Sequence, residues 1–301
     1  MILVKPSFEI HEQEPGMEGM LKQIEYCGRI SHKSEDKITE NSYVDFIKKM
    51  EKLHHYATFE HGTVYLKFID EDYTPYKTKL KEALDFYEKN PYSKIKYHDC
   101  GYYVTTNYRV ICENNRKEDL ANWCEPTEWH EKRHTVVFIC DLGVSREFNR
   151  HRVDSILEES TRYCDYTKDK FNNELNIMIP IWLESRINEM ERLMNKHFID
   201  FCEYLVRYGD EDFGDIDYWL MANLCSEYCY EKLIKNFKWT PQQAMTVLPL
   251  DLKTTLAHTA FDSDWQHFFS LRSIGSTGAP HPSAKELAEP LMENFLENNY
   301  I

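Results

Sequence analysis

The sequence predicts an α+β fold in one domain spanning residues 1–301, and three observations carry that prediction. Short stretches rich in Val, Ile, Tyr, Phe and Thr fall in the first half of the chain. Long patterns with apolar residues three and four apart fill the second half. No internal repeat, low-complexity tract or linker divides them, so strands early and helices late belong to one core. At 301 residues, 42% hydrophobic and 14% aromatic, the chain has enough apolar surface to build it.

Taken in order, residues 40–55 read as an amphipathic helix. Asn41 or Ser42 stands as its cap, and Tyr43, Phe46, Ile47, Met50 and Leu53 form one stripe. Thr63 to Ile69 alternates, with Val64, Leu66 and Phe68 on the inner side of a half-buried strand. Tyr102 to Ile111 and Thr135 to Cys140 read as further strands, which makes Asn107-Tyr108-Arg109 a surface part of a ladder. After the turn Asp141 to Val144, Ser145 is a candidate cap for a helix carrying Arg146, Glu147, Arg150, His151 and Arg152. Long helices follow at about 183–207 and 216–236. Thr240-Pro241-Gln242-Gln243 combines a capping Thr, Pro at the first helical position and Gln at the capping-box position. Pro249 closes that short helix. His281-Pro282 opens the last one, striped by Leu287, Leu291, Met292, Phe295 and Leu296.

The chain carries 51 acidic and 36 basic side chains, a formal net charge of -15. Such a surface repels a polyanion, which argues against binding nucleic acid polymers but leaves room for a local basic site for one phosphorylated small molecule. The nine cysteines include no CxxC pair and form no disulfide framework, and the apolar start at Met1 is too short for a signal peptide. No stretch approaches the length of a membrane helix. A cytoplasmic protein with reduced thiols is the expectation.

One stretch is chemically unlike its surroundings. Residues 146–163 place four arginines, a histidine and the hydroxyls of Ser155, Ser160 and Thr161 within eighteen positions of an acidic protein. The guanidinium fork matches phosphate bidentately. Ser160, Thr161 and their backbone N–H groups suit a phosphate beside Arg162. The competing reading is a solvated, charged helix face.

The arrangement Arg150-His151-Arg152, seven residues, then Ser160, followed by Arg162-Tyr163, resembles the signature of the flavin-dependent thymidylate synthases. His55 and Phe59-Glu60-His61 are similar to that family's stretch before its sheet. Leu248-Pro249-Leu250 and Phe268-Phe269-Ser270-Leu271-Arg272 are similar to its C-terminal segments, so the likeness runs from about residue 53 to 290. It implies the thymidylate synthase-complementing-protein fold, a central mixed or antiparallel sheet flanked by long helices, assembled as a homotetramer with sites between subunits. It implies FAD, NADPH and 5,10-methylenetetrahydrofolate, and reductive methylation of dUMP to dTMP with no cysteine nucleophile.

Carried over by position, the resemblance gives Arg272 the catalytic role of polarising the pyrimidine. His55, Arg150, His151, Arg152, Glu158, His267 and His281 would attend the flavin. Glu147, Arg150, Glu158, Glu159, Ser160, Thr161, Arg162 and Arg272 would bind the nucleotide. The sequence departs from the family pattern at Ala57, Asp154, Leu157 and Met245, the last standing where a phosphate-binding arginine is usual. Met245, Leu157 and Asp154 motivate one alternative, C5 alkylation, for instance hydroxymethylation, of another pyrimidine nucleotide; a second is an inactive homologue that binds flavin and nucleotide, against which Arg162 and Arg272 argue. A third class, a metal or nucleic-acid module, would use His54, His55, His258, His267 and His281, or the six Trp and twenty Tyr. The histidines lack metal-ligand spacing and the aromatics lack a basic stripe.

Overall fold

A computed structural model describes residues 1–69, 74–99, 101–194 and 213–301. Among them are nine strands, β1 (Ile2–Val4), β2 (Ser7–His11), β3 (Thr63–Ile69), β4 (Lys94–His98), β5 (Gly101–Asn107), β6 (Arg133–Asp141), β7 (Ser155–Glu158), β8 (Asn176–Met178) and β9 (Lys253–Phe261). The helices are α1 (Gly16–Ile30), α2 (Ser42–Lys52), α3 (Thr74–Lys89), α4 (Tyr108–Glu113), α5 (Leu142–Phe148), α6 (Ile187–Met194), α7 (Asp215–Lys235), α8 (Pro241–Ala244), α9 (Asp262–Phe269) and α10 (Pro282–Glu297). The fold is mixed, with antiparallel sheets and many helices. Four strands form an antiparallel sheet in the order β2-β6-β9-β7, three form another in the order β3-β5-β4, and β1 pairs with β8 in parallel. Among the described residues no helix is long and apolar enough to cross a membrane.

The central strand β9 alternates, and each set of its side chains faces a different layer. Leu256 and Ala260 join Val136 and Phe138 beneath Trp265, Phe268 and Phe269 from α9 and its extension, and Leu287, Leu291 and Phe295 from α10. Ala257 faces the other way, with Val137, against Cys27 and Ile30 of α1. The β3-β5-β4 sheet has its own core, in which Val64, Leu66, Phe68 and Val104 meet Tyr87, Phe59 and Met20.

Several expected elements are altered by this packing. Strand β3 is buried on both faces, since Thr63 and Tyr65 are covered as well as Val64, Leu66 and Phe68. Strand β5 stops at Asn107, whose side chain accepts from Val110 N–H at 3.0 Å and caps α4. Tyr108 and Arg109 are therefore helical, and Arg109 pairs with Glu60 at 2.5 Å and with Glu113 at 2.8 Å. Helix α5 begins three residues before Ser145, because Asp141 accepts from Val144 N–H at 2.6 Å and is the cap. It ends at Phe148, so Arg150, His151 and Arg152 lie in the turn beyond it. In α2, Ile47 and Met50 are buried while Leu53 is exposed; Leu296 of α10 is likewise exposed. The helix expected over 183–207 is observed as a 3-10 turn, Ile181–Arg186, running into α6; its remainder lies outside the described residues. The helix expected at 216–236 is α7, and Thr240 and Gln243 make the anticipated capping box.

Candidate functional site

The Arg146–Tyr163 segment is assembled from three pieces. Phe148 anchors the end of α5 in the core, its ring 4.9 Å from both Phe138 and Phe268. The chain then turns through 149–154, held by backbone bonds from His151 N–H to the Phe148 carbonyl and from Asp154 N–H to the His151 carbonyl. Strand β7 follows, with Ser155 opposite Thr259 and Ile156 opposite His258.

Within this frame Arg272 gathers the polar groups. Its Nε donates to His151 Nε2 at 3.1 Å, Nη1 to Glu147 Oε2 at 2.6 Å, and Nη2 to the Glu147 carbonyl at 2.6 Å. A guanidinium only donates, so His151 Nε2 is unprotonated and the ring is neutral. Burial is the main reason: it pushes the His151 pKa down to about 4, helped by His258 and Arg272 and opposed by Asp154. Arg272 is 12% exposed and sits in a π-helical turn, Ser270–Ile274, that widens the end of α9. Gly275 ends that turn at φ +77; a Cβ there would meet the Gly278 carbonyl oxygen and Pro280 Cδ at 2.8 Å each.

Beside this cluster lies an open cleft of about 480 Å³, lined by Glu60, Asn149, His151, Arg152, Asp154, Ile156 and Glu158. Arg152 is exposed at its mouth, and Arg150, 73% exposed, makes a 3.5 Å ion pair with Glu147. Glu158 is held by Ser145 Oγ at 2.7 Å and Asn149 Nδ2 at 3.2 Å. His267 is exposed with its ring 5.8 Å from that of His151. Among the described residues no cysteine lines the cleft, and burial pushes the Cys140 thiol well above its ordinary range.

The other half of the segment faces elsewhere. The Glu159 carboxylate is buried against Lys253 Nζ at 2.9 Å, and Ser160 N–H donates to the Ser31 carbonyl. Thr161 Oγ1 lies 3.5 Å from Met245 Sδ, and the exposed Arg162 donates to Gln242 Oε1 at 3.1 Å. The structure thus sets Met245 against Thr161. His55 and His281 are exposed and lie outside the cleft lining; the His281 ring is 6.3 Å from that of Trp182. Leu157 packs among Cys27, Ile30, Val137 and Ala257, on the sheet face away from the cleft.

Two pairings escaped the sequence reading, although His258, Asp154 and His61 are each named in it. Strand β9 itself was signalled by its Thr-rich run from Lys253 to Phe261. It delivers His258, whose Nε2 is 2.6 Å from Asp154 Oδ2, both side chains buried. On its opposite face Thr259 Oγ1 bonds Thr135 Oγ1 at 2.7 Å and His61 Nδ1 at 2.8 Å. Burial, with Arg133 and His258 nearby, pushes His61 down to about 3.

A family model described as thymidylate synthase complementing protein matches residues 130–297. No curated protein sequence matches the chain. Among solved structures, the fold is similar to that of a UMP/dUMP methylase, PolB from Streptomyces cacaoi, bound with 5-Br dUMP. That likeness has 13% identity and a TM-score of 0.43, covering 99% of this chain and 93% of that one. The same methylase bound with 5-Br UMP gives 14% identity and a TM-score of 0.42, covering 99% and 92%.

Proposed function

This chain belongs to the thymidylate synthase complementing protein family, and from that premise we propose that it methylates C5 of dUMP to give dTMP. FAD would be the bound cofactor, NADPH the reductant and 5,10-methylenetetrahydrofolate the carbon donor. The observation that carries this reading is the fixed Arg272 guanidinium, held by Glu147 and the neutral His151 beside the cleft. A cation placed in advance stabilises the negative charge that develops on a pyrimidine as C5 becomes a nucleophile. His151 contributes by accepting from Arg272 without adding a second positive charge.

The donor set suits a dinucleotide. Arg152 and Asn149 in the cleft lining and Arg150 exposed on the same turn offer two guanidinium forks and an amide suited to a pyrophosphate. When bound, the flavin would supply the hydride that completes the methyl group. The chain's own work is to hold that ligand, orient the pyrimidine through Arg272 and balance charge through Glu147. Ser160, Thr161 and Arg162 would take the nucleotide phosphate, completing a neighbouring subunit's site in a homotetramer. His55, His267 and His281 would approach the flavin from that assembly. A location in the cytoplasm is part of the same reading.

The test is to load the purified protein with FAD, add NADPH without oxygen and follow the loss of the oxidised flavin spectrum. Adding dUMP and methylenetetrahydrofolate should then yield dTMP by chromatography. A protein that takes up no FAD, or an Arg150→Ala, Arg152→Ala variant with unchanged flavin occupancy, would sink the assignment. Met245 favours a second reading, in which another pyrimidine nucleotide or another C5 substituent such as hydroxymethyl is involved. Its thioether gives a phosphate near Thr161 no charge to pair with. Parallel titrations with dUMP, UMP and dCMP separate the two.

A further inference from the structure

Asp154 belongs to the cleft lining, but its contact with His258 has no role in the chemistry above. The two side chains are 1% and 0% exposed and 2.6 Å apart. His258 lies among aromatic rings, with Trp265 at 4.6 Å, Phe268 at 5.5 Å and Phe138 at 6.3 Å between centroids. Taking an ionisable pair out of water into such a core is costly, and apolar residues of similar volume are often as stable. What apolar residues cannot do is hold a polar turn in one orientation.

Asp154 closes the turn that begins at Asn149, and its N–H donates to the His151 carbonyl at 3.2 Å. Its carboxylate ties that turn to the middle of β9 through His258. The tie is a single contact among the described residues, within which Asp154 Oδ1 and His258 Nδ1 are buried without hydrogen-bond partners. Within the turn, His151 accepts from Arg272 and rests against Phe268, 5.0 Å away, the same ring that packs on His258. Contacts therefore run without a break from β9 through His258, Asp154 and His151 to Arg272.

We propose that Asp154 and His258 are positioning residues for Arg272, fixing the turn 149–154 so that His151 and Glu147 hold the guanidinium in one orientation. The inference rests on the reading of the cleft as the flavin and nucleotide site. It goes beyond that reading by assigning the orientation of Arg272 to a contact between the floor of the cleft and a histidine set among aromatic rings.

The decisive comparison uses an Asp154→Ala, His258→Phe double variant, which removes both polar groups and leaves no unpaired buried charge. It should unfold near the wild-type temperature, yet bind FAD roughly tenfold more weakly or worse. Adding Arg272→Ala to the wild type should lower turnover by about 10²-fold. Adding it to the double variant should cost less than about threefold, because residues acting through one another are not additive. Asp154→Asn keeps an acceptor for His258 and should retain both the affinity and the full Arg272 effect. If the double variant does not fold, Asp154→Ser breaks the contact with a small neutral side chain and should show the same two losses. A folded variant with wild-type FAD affinity and an undiminished Arg272 effect would overturn the proposal. Wild-type protein that takes up no FAD would instead overturn the reading of the cleft on which it rests.

Discussion

Residues Glu147–Asp154 and Glu159–Arg162 are joined by the four residues of one short strand, yet they build different kinds of structure. In the first stretch the polar side chains bond one another and Arg272, so that a guanidinium, a carboxylate and a neutral imidazole are fixed within one chain. In the second, each residue turns to a different neighbour: Glu159 to Lys253, Ser160 to Ser31, Thr161 to Met245 and Arg162 to Gln242. The four residues of β7 carry the chain about 13 Å at the usual rise, and pairing with β9 fixes which side chains face the cleft. Arg162 and Tyr163 end that path exposed. The first stretch thus fixes Glu147 and His151 against Arg272 while leaving Arg150 and Arg152 exposed on the same turn, whereas the second presents Arg162 alone among residues tied to separate neighbours.

The comparison can be broken most forcefully at Lys253. Lys253→Met leaves the Glu159 carboxylate buried and unpaired, which should cost about 3–5 kcal/mol of stability. Denaturant titration would measure it, and restoration by an added Glu159→Gln would attribute the loss to the orphaned charge. In the first stretch, Arg272→Ala should leave the fold intact and lower kcat by about 10²-fold or more, the scale for one lost transition-state donor. Full turnover in that variant would remove the role given to Arg272.

Acid should affect the first stretch before the second. The folded-state pKa of His151 is about 4, below the 6.5 of an exposed histidine. The unfolded chain therefore binds more protons between those values, so stability is fully present above pH 6.5 and is lost as pH falls towards 4. The loss should be about 1–2 kcal/mol between pH 7 and pH 5 from this residue. His151→Gln should flatten that part of the profile; an unchanged slope would place the titration elsewhere. The smallest effect is expected at Met245. Met245→Arg should tighten dUMP binding by up to about tenfold, one charge-assisted contact, while leaving FAD affinity unchanged. No change in dUMP affinity would mean that the phosphate lies away from Thr161.

Much of this was legible in the chain. The α+β class, α2, β3, β6, α7, the Thr240 capping box and α10 follow from local periodicity and capping, which depend on residues a few positions apart. The motif from Arg150 to Tyr163 and the distant Arg272 were visible as residue types. What local pattern could not supply was pairing across the sequence. Asp154 reads as an oddity until β7 and β9 align it with His258, 104 residues away. Met245 reads as a missing charge until α8 and the turn after it bring it to Thr161, 84 residues back. Tyr108 and Arg109 have strand-forming neighbours, but the Asn107 side chain captures the Val110 N–H and starts a helix. The sequence by itself determined which groups are available and where α2, α7 and α10 lie. Tertiary structure decided which carboxylates are spent on buried cations, which histidine is held neutral, and which arginines stay exposed, because burial and partner choice arise only when distant strands align.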